Sequence, residues 1–266
     1  MDFVTSKDGT RIVYDRKGTG EPVILVDGAM CRGTAGPMQP LAALLAERFD
    51  VIAYDRRGRG ESGDTPPYAV EREIEDIAAL IEAAGGSAHV YGMSSGAVLA
   101  IRAAAVLGGQ IRRLALYEPP TTTRDGDDVA RHAAADYARE LNALLAEGRR
   151  GDAVALFMRK VGVPADAIAG MRHAPMWPGM EVIAPTLAYD DAVMGDGSVP
   201  KEAARAIRVP SLVADGGSSP PFLREAADAV ASALPFAHRL TLEGQTHDVA
   251  ADALAPALAA FFGNEG

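Results

Sequence analysis

The run Gly92-Met93-Ser94-Ser95-Gly96 is the one G-x-S-x-G in the chain. It falls between a short apolar stretch, residues 89–91, and a mostly apolar helical stretch, residues 97–107. A serine raised on a sharp strand-to-helix turn is exposed for attack. Such a turn needs small neighbours, because its backbone is strained and closely packed. The start of the helix also brings free backbone N–H groups near any negative charge that develops there. The pattern therefore predicts a nucleophile at Ser94. A hydroxyl is a weak nucleophile until a base takes its proton. Of the five histidines, His132 lies in a charged helical stretch and His173 in a helix-rich middle region, while His89 begins a strand and His238 precedes one. His247 differs: it follows the strand at 239–242 through Glu243-Gly244-Gln245-Thr246 and precedes the last helix. In a parallel sheet that loop opens on the same carboxyl edge as Ser94, which makes His247 the candidate base.

That shared edge requires strands and helices in alternation, and the chain supplies them. Residues 11–14 follow an Asp8-Gly9 turn as the second half of a hairpin. Residues 22–26 are a continuous apolar run, as expected of a strand covered on both faces. Residues 41–49 have helical spacing, and 51–54 form the next apolar strand. Between 68 and 84, Val70, Ile74, Ile77 and Ile81 recur at three- and four-residue intervals, and Gly85-Gly86 ends that helix. Residues 114–117 form a further strand. From about 121 to 207 the alternation stops, leaving helical stretches such as 129–147 and 152–161. It resumes with a strand at 211–214, a helix at 222–233, a strand at 239–242 and a helix at 249–262. This order predicts a mostly parallel sheet flanked by helices, with a core formed by residues 1–120 and 208–266. Residues 121–207 are then a helical insertion after the sixth strand.

Composition narrows the partners. The chain has 266 residues, 48% hydrophobic and 23% charged, which fits an ordinary globular protein rather than a disordered one. Twenty-six Lys and Arg against 36 Asp and Glu give a net charge of −10, which opposes binding to nucleic acid or anionic membrane. A single cysteine, Cys31, excludes an intrachain disulfide and any thiolate metal cluster. The first 15 residues have no signal-peptide core, and no run of about 18 apolar residues occurs, so a cytoplasmic protein without membrane insertion is expected.

The opening hairpin, Asp27-Gly28-Ala29 at the end of an apolar strand, Tyr54-Asp55-Arg56-Arg57-Gly58-Arg59-Gly60-Glu61-Ser62, the G-x-S-x-G and Gly244-Gln245-Thr246-His247 resemble, in order, the α/β-hydrolase superfamily. Within it the likeness is to the small lidded esterase, lipase and cofactor-free haloperoxidase group. The resemblance implies an α/β-hydrolase fold, with Ser94 as acyl nucleophile and His247 as general base. The helical insertion, residues 121–207, lies in the place where the family has its lid. It also implies that the N–H groups of Ala29 and Ser95 form an oxyanion hole. No metal or other cofactor is implied.

Two departures stand out. The family usually has His-Gly before the first oxyanion donor, where this chain has Asp27-Gly28; altered supporting bonds are expected rather than lost catalysis. The family's acid usually follows the strand at 211–214, but Ser219 occupies that place. A hydroxyl cannot stabilise an imidazolium as a carboxylate does. Glu118, after the strand at 114–117, is the first candidate for the acid, as in family members that place it there. Asp215 is the second.

Other signals compete less well. Gly58-x-Gly60-x-x-Gly63 fits a dinucleotide fingerprint, yet Asp64-Thr65-Pro66-Pro67 follows where a helix is required, so these glycines are expected to shape a loop. Asp127-Asp128 and Asp190-Asp191 are read as charged loop or helix ends rather than metal ligands. Cys31 is read as a small buried residue near the site. Gly28, Met30 and Met93 lie beside the proposed oxyanion donors, and Met158, Met171, Met176, Met180 and Met194 lie in the insertion with Trp177. With Met30, Met93 and Trp177 on its wall, the pocket would be apolar and adaptable. The expected function is hydrolysis of a small or medium apolar ester, thioester or lactone. A C–C bond hydrolase, a lyase or cyclase on the same site, and a slow-turnover small-molecule binder or sensor remain open.

Overall fold

The computed structural model describes residues 1–122 and 128–263. Eight strands form one sheet: β1 (Asp2–Thr5), β2 (Arg11–Lys17), β3 (Glu21–Val26), β4 (Phe49–Tyr54), β5 (Ala88–Met93), β6 (Ile111–Tyr117), β7 (Ser211–Gly216) and β8 (Ala237–Leu242). Their order across the sheet is β1-β2-β4-β3-β5-β6-β7-β8. The pairs β1–β2 and β2–β4 are antiparallel, and every pairing from β4 onward is parallel. The chain thus has the expected α/β-hydrolase fold, and the loops after β3, β4, β5, β6, β7 and β8 all leave from one edge.

Side chains alternate across each central strand, so both faces must be covered. In β3, Ile24 and Val26 face one apolar layer while Val23 and Leu25 face the other. The first layer is closed by α2 (Val70–Ala83), α3 (Ser95–Leu107) and α10 (Pro221–Ala233), through residues such as Ile77, Leu80, Ile101 and Val230. The second is closed by α1 (Met38–Leu45) and α11 (Ala251–Phe262), through Leu41, Leu45, Leu258 and Phe262. The period-3.6 spacing expected for residues 68–84 is realised in α2: Ile74, Ile77, Leu80 and Ile81 are buried, and Gly85 and Gly86 end the helix at positive φ.

The inserted stretch contains α4 (Asp128–Ala146), α5 (Arg150–Lys160), α6 (Ala165–Met171), α7 (Trp177–Ile183), α8 (Leu187–Met194) and α9 (Lys201–Ala206). It has two small apolar clusters of its own, one around Tyr137, Leu141, Leu156 and Leu187 and one around Val154, Met158, Ile168 and Trp177. Its C-terminal part is different, since Val193, Val199, Ala204 and Ile207 bury in the main core. An isolated bridge between Thr122 and Ser198 joins the two ends of the insertion.

Two boundaries differ from the sequence expectation. The helix read at 41–49 ends at Leu45, and Phe49 opens β4, where its ring sits edge-on to His89 and Phe262. Helical spacing there continues into a residue whose burial is set by the sheet. The strand read at 239–242 begins at Ala237 and takes in His238.

The join between β5 and α3 is very close. A Cβ at Gly96 would lie 2.5 Å from the backbone oxygens of Val26 and Asp27. Helix propensity alone would make Gly96→Ala stabilising by up to about 1 kcal/mol. Contact with rigid backbone outweighs that, and Gly96→Ala is expected to lower unfolding stability by about 1–3 kcal/mol in urea titrations. An unchanged or raised midpoint would show that the sheet can yield there.

Candidate active site

Ser94 follows the last residue of β5 and precedes the first of α3, with φ 55° and ψ −127°. Its N–H donates to the Tyr117 carbonyl at 3.0 Å, which ties the turn to the end of β6. Side chains are absent where they would collide: a Cβ at Gly92 would lie 2.8 Å from Ala97 Cα, and one at Gly28 only 3.1 Å from Ser94 Cβ and 3.7 Å from its Oγ. The loop after β3 therefore lies directly against the serine. Among the described residues three non-glycines have positive φ: Met30 at 61°, Ser94 at 55° and Glu118 at 45°. All three belong to the loops that converge here, and such conformations cost of order 1–3 kcal/mol each unless the surroundings impose them.

His247 is half-exposed on the loop after β8. That loop is pinned by the Tyr117 hydroxyl, which donates to the Thr246 carbonyl at 2.6 Å, and by the Ser218 N–H, which donates to the Gln245 carbonyl at 2.8 Å. His247 Nδ1 lies 2.7 Å from Glu118 Oε2. A carboxylate only accepts, so this contact holds the proton on Nδ1 and leaves Nε2 with a free lone pair. Glu118 is fully buried, and its other oxygen accepts the Gly216 N–H at 2.8 Å. Its own N–H donates to the Ala214 carbonyl at 3.0 Å, so the residue is fastened to β7 on both sides.

The second candidate acid is committed elsewhere. Asp215 Oδ1 accepts from Arg239 Nη2 and Thr241 Oγ1, each at 2.9 Å, and Oδ2 accepts from Arg224 Nε at 3.3 Å. Ser219 is buried, its N–H donating to the Gly216 carbonyl at 3.0 Å. The carboxylate that meets His247 comes from β6.

Beside the serine lies a buried charge cluster that the sequence pattern does not reveal. Asp190, on α8, accepts from Ser95 Oγ at 2.8 Å and from Arg56 Nη1 at 2.7 Å through Oδ1, and from Arg59 Nη2 at 2.6 Å through Oδ2. Arg56 also holds Glu73 of α2 through two bonds, at 2.6 and 2.7 Å. Burial alone would raise the Asp190 carboxyl, but Arg59 and Arg56 outweigh it and hold it below the ordinary carboxylate value. Asp190 lies in the first turn of α8, a charged helix end as read from the sequence, but it is buried, at 5% exposed. Asp191 is half-buried and pairs with Lys160 at 3.6 Å. The usable signal is the triple arginine Arg56, Arg57 and Arg59 on one loop of an acidic chain. Arg57 makes a separate buried cluster with Asp76 and Asp8.

Other candidates fall in varied places. Met30 packs at the edge of both clusters of the inserted helices, whereas Trp177 is buried inside the second and donates from Nε1 to Glu181 at 3.0 Å. Met93 lines a cavity of about 20 Å³ with Tyr91, Met38 and Val249. Met176 is exposed and Met194 packs on the main core, so those two do not extend an apolar wall. Gly58 and Gly60 lie in a loop, and the next helix begins only at Val70. Asp128 opens α4 paired with Arg131, while Asp127 lies outside the described residues. Cys31 is partly buried, and desolvation pushes its thiol up to about 12, away from nucleophilic use.

The chain matches the alpha/beta hydrolase family over residues 30–260 and belongs to it. A crystal structure of an alpha/beta hydrolase from Sphaerobacter thermophilus is similar at 55% identity and a TM-score of 0.87, covering 98% of this chain and all of that one. An enol-lactonase from Burkholderia xenovorans shares the fold at 24% identity and a TM-score of 0.68, covering 99% and 100%. A protein of Azorhizobium caulinodans named as a carbamate hydrolase, RutD, is 34% identical over 107 residues. That match spans 40% of this chain and 40% of the relative. The names of these relatives support a hydrolase. No helix among the described residues is long and apolar enough to cross a membrane.

Asp27, where the family usually has histidine, gives a test of this region. It is buried, one oxygen accepts the Gly28 N–H at 3.1 Å and the other has no protein partner. Desolvation raises its pKa from 3.8 to about 6, against the pull of Arg59. Between those values the folded chain keeps a proton that the unfolded chain releases, so stability falls as pH rises and the full cost is present above pH 6. The stabilising effect of Asp27→Asn is therefore expected to grow by about 2.4 kcal/mol from pH 4 to pH 7.5. Urea unfolding at both pH values checks this; a pH-independent difference would contradict it.

Proposed function

We propose that this hydrolase is a serine enzyme cleaving a small or medium, largely apolar carboxylic ester, thioester or lactone through an acyl-serine intermediate. The observation that carries the reading is the 2.7 Å contact between Glu118 and His247 Nδ1, with Ser94 on a strained strand-to-helix turn whose N–H is bonded to the carbonyl of Tyr117, the residue before Glu118. Ser94 Oγ attacks the carbonyl carbon while His247 Nε2 takes its proton. The N–H groups of Ala29 and Ser95 bind the oxygen as it becomes negative. The imidazolium, stabilised by the buried Glu118 carboxylate, gives its proton to the departing alcohol or thiol. Water, deprotonated by His247, then attacks the acyl-serine, and the collapse of the second tetrahedral intermediate returns Ser94 and releases the acid. The preference for an apolar acyl or alcohol part rests on Met30, one residue from the proposed donor at Ala29, which packs against the apolar clusters of the inserted helices.

Chromogenic esters of several chain lengths should give a burst equal to the number of sites followed by turnover, and an organophosphonate should label Ser94. Failure of both would overturn the reading. Glu118→Gln is expected to lower kcat by roughly 10³–10⁴-fold, because the amide holds the wrong imidazole tautomer. Asp215→Asn is expected to keep kcat within about fivefold and to lose thermal stability instead. The reverse pattern would assign the acid to Asp215.

A further inference from the structure

We propose that Arg59 and the lid residue Asp190 are positioning residues that aim the two oxyanion donors, resting on the acyl-transfer reading above. A trans peptide is planar, so its C=O and N–H point in opposite directions. The carbonyl of Gly28 and the N–H of Ala29 belong to one such peptide, and the 28–29 bond is trans. Arg59 Nη1 donates to the Gly28 carbonyl at 2.6 Å. Fixing that oxygen on the guanidinium turns the Ala29 N–H to the opposite side. A flip of this one peptide would exchange donor for acceptor in the hole, and the cation opposes the flip directly. It also polarises the peptide, strengthening the N–H as a donor.

Arg59 has to be held for this to work, and Asp190 holds it. Asp190 Oδ2 accepts from Arg59 Nη2 at 2.6 Å, while Oδ1 accepts from Ser95 Oγ at 2.8 Å. Ser95 carries the other proposed donor N–H. A single carboxylate therefore bonds to the side chain of one donor residue and to the clamp on the other donor's peptide. Arg56 completes the frame, bonding Asp190 at 2.7 Å, Glu73 at 2.6 Å and, at 3.3 Å, the Asp27 carbonyl one peptide earlier. A simple tether between lid and core would not need to end on the Gly28 carbonyl and the Ser95 hydroxyl.

The test compares Arg59→Lys, Asp190→Asn and Ser95→Ala with Arg57→Lys. Arg57 is an equally buried arginine on the same loop, but its partners are Asp76 and Asp8, away from the hole. The first two variants are expected to lower kcat and the rate of organophosphonate inactivation together by roughly 10–100-fold, with KM within about threefold. Ser95→Ala, which keeps every charge, is expected to lower both by roughly 3–10-fold. Arg57→Lys should lose thermal stability at unchanged kcat. If the Arg59 and Asp190 variants lose stability but keep kcat as Arg57→Lys does, the network only tethers the lid and the proposal fails. A second readout needs no turnover: the Ala29 amide ¹⁵N resonance reports hydrogen bonding at the Gly28 carbonyl through their shared peptide. It is expected to shift in Arg59→Lys and stay in place in Arg57→Lys; an unmoved resonance in Arg59→Lys overturns the clamp. A wild-type protein that neither turns over esters nor takes up phosphonate overturns the acyl-transfer reading instead. Should Asp190→Asn fail to fold, Arg59→Lys and Ser95→Ala carry the same comparison.

Discussion

At Ser94 the chain must pass from strand to helix within a single residue, and the surrounding structure is shaped by that requirement. The conformation at φ 55° is one that L-residues avoid, and it survives only because its neighbours leave no alternative. Its N–H is bonded to the end of β6, and Gly92 and Gly96 let α3 fold back against the sheet. The backbone of Val26 and Asp27 fills the space a side chain at 96 would need. The same close approach that makes the turn possible therefore brings the loop after β3 beside the serine. Ser94 and the loop after β3 are set by one packing constraint, supported by apolar layers on both faces of the sheet.

Strain is concentrated rather than spread. Met30, Ser94 and Glu118 come from three different loops, yet they are the non-glycine residues at positive φ among those described. Glu118 reaches His247 because β6 ends in this turn and the side chain is locked between the Gly216 N–H and the imidazole. At the end of β7, by contrast, Asp215 is taken up by Arg239, Arg224 and Thr241. Two carboxylates one strand apart thus differ in their partners: one is surrounded by cations and a hydroxyl, the other by a backbone N–H and a histidine.

The fold is legible from local pattern, since apolar runs and 3.6-residue spacing report burial directly, as in β3 and α2. Ser94 and His247 are legible because small residues around a strand–helix turn and a histidine after the last strand mark places, not contacts. Phe49 is misplaced by its pattern because helical spacing does not register which residue the sheet claims. The burial of Asp190 is not legible for a deeper reason. An Asp-Asp pair on a helix is ordinarily solvated, and its burial depends on Arg56 and Arg59, more than 130 positions earlier. No window of sequence contains both ends of that interaction. For such a cluster the ion pairs themselves add little net stability, but removing one partner strands a charge at a cost of about 3–5 kcal/mol. Trp177 shows the converse: its type suggests a ligand wall, and its packing makes it part of the interior of the inserted helices.

Glu118 is the last residue before the chain leaves the sheet for the insertion, and Asp190 lies on the helix by which it returns. The stretch between them, α4 to α7, packs around two small clusters of its own, whereas α8 and α9 join the main core. The topological border of the inserted segment and its physical border therefore differ by some twenty residues. For the descent of such chains, this means the segment is not a cassette. Exchange of α4 to α7 alone would leave the bonds of Asp190 to Ser95, Arg56 and Arg59 in place. A crossover placed beyond residue 190 also replaces the carboxylate under the serine's neighbour, and the recipient's arginines must then find a partner inherited from another lineage.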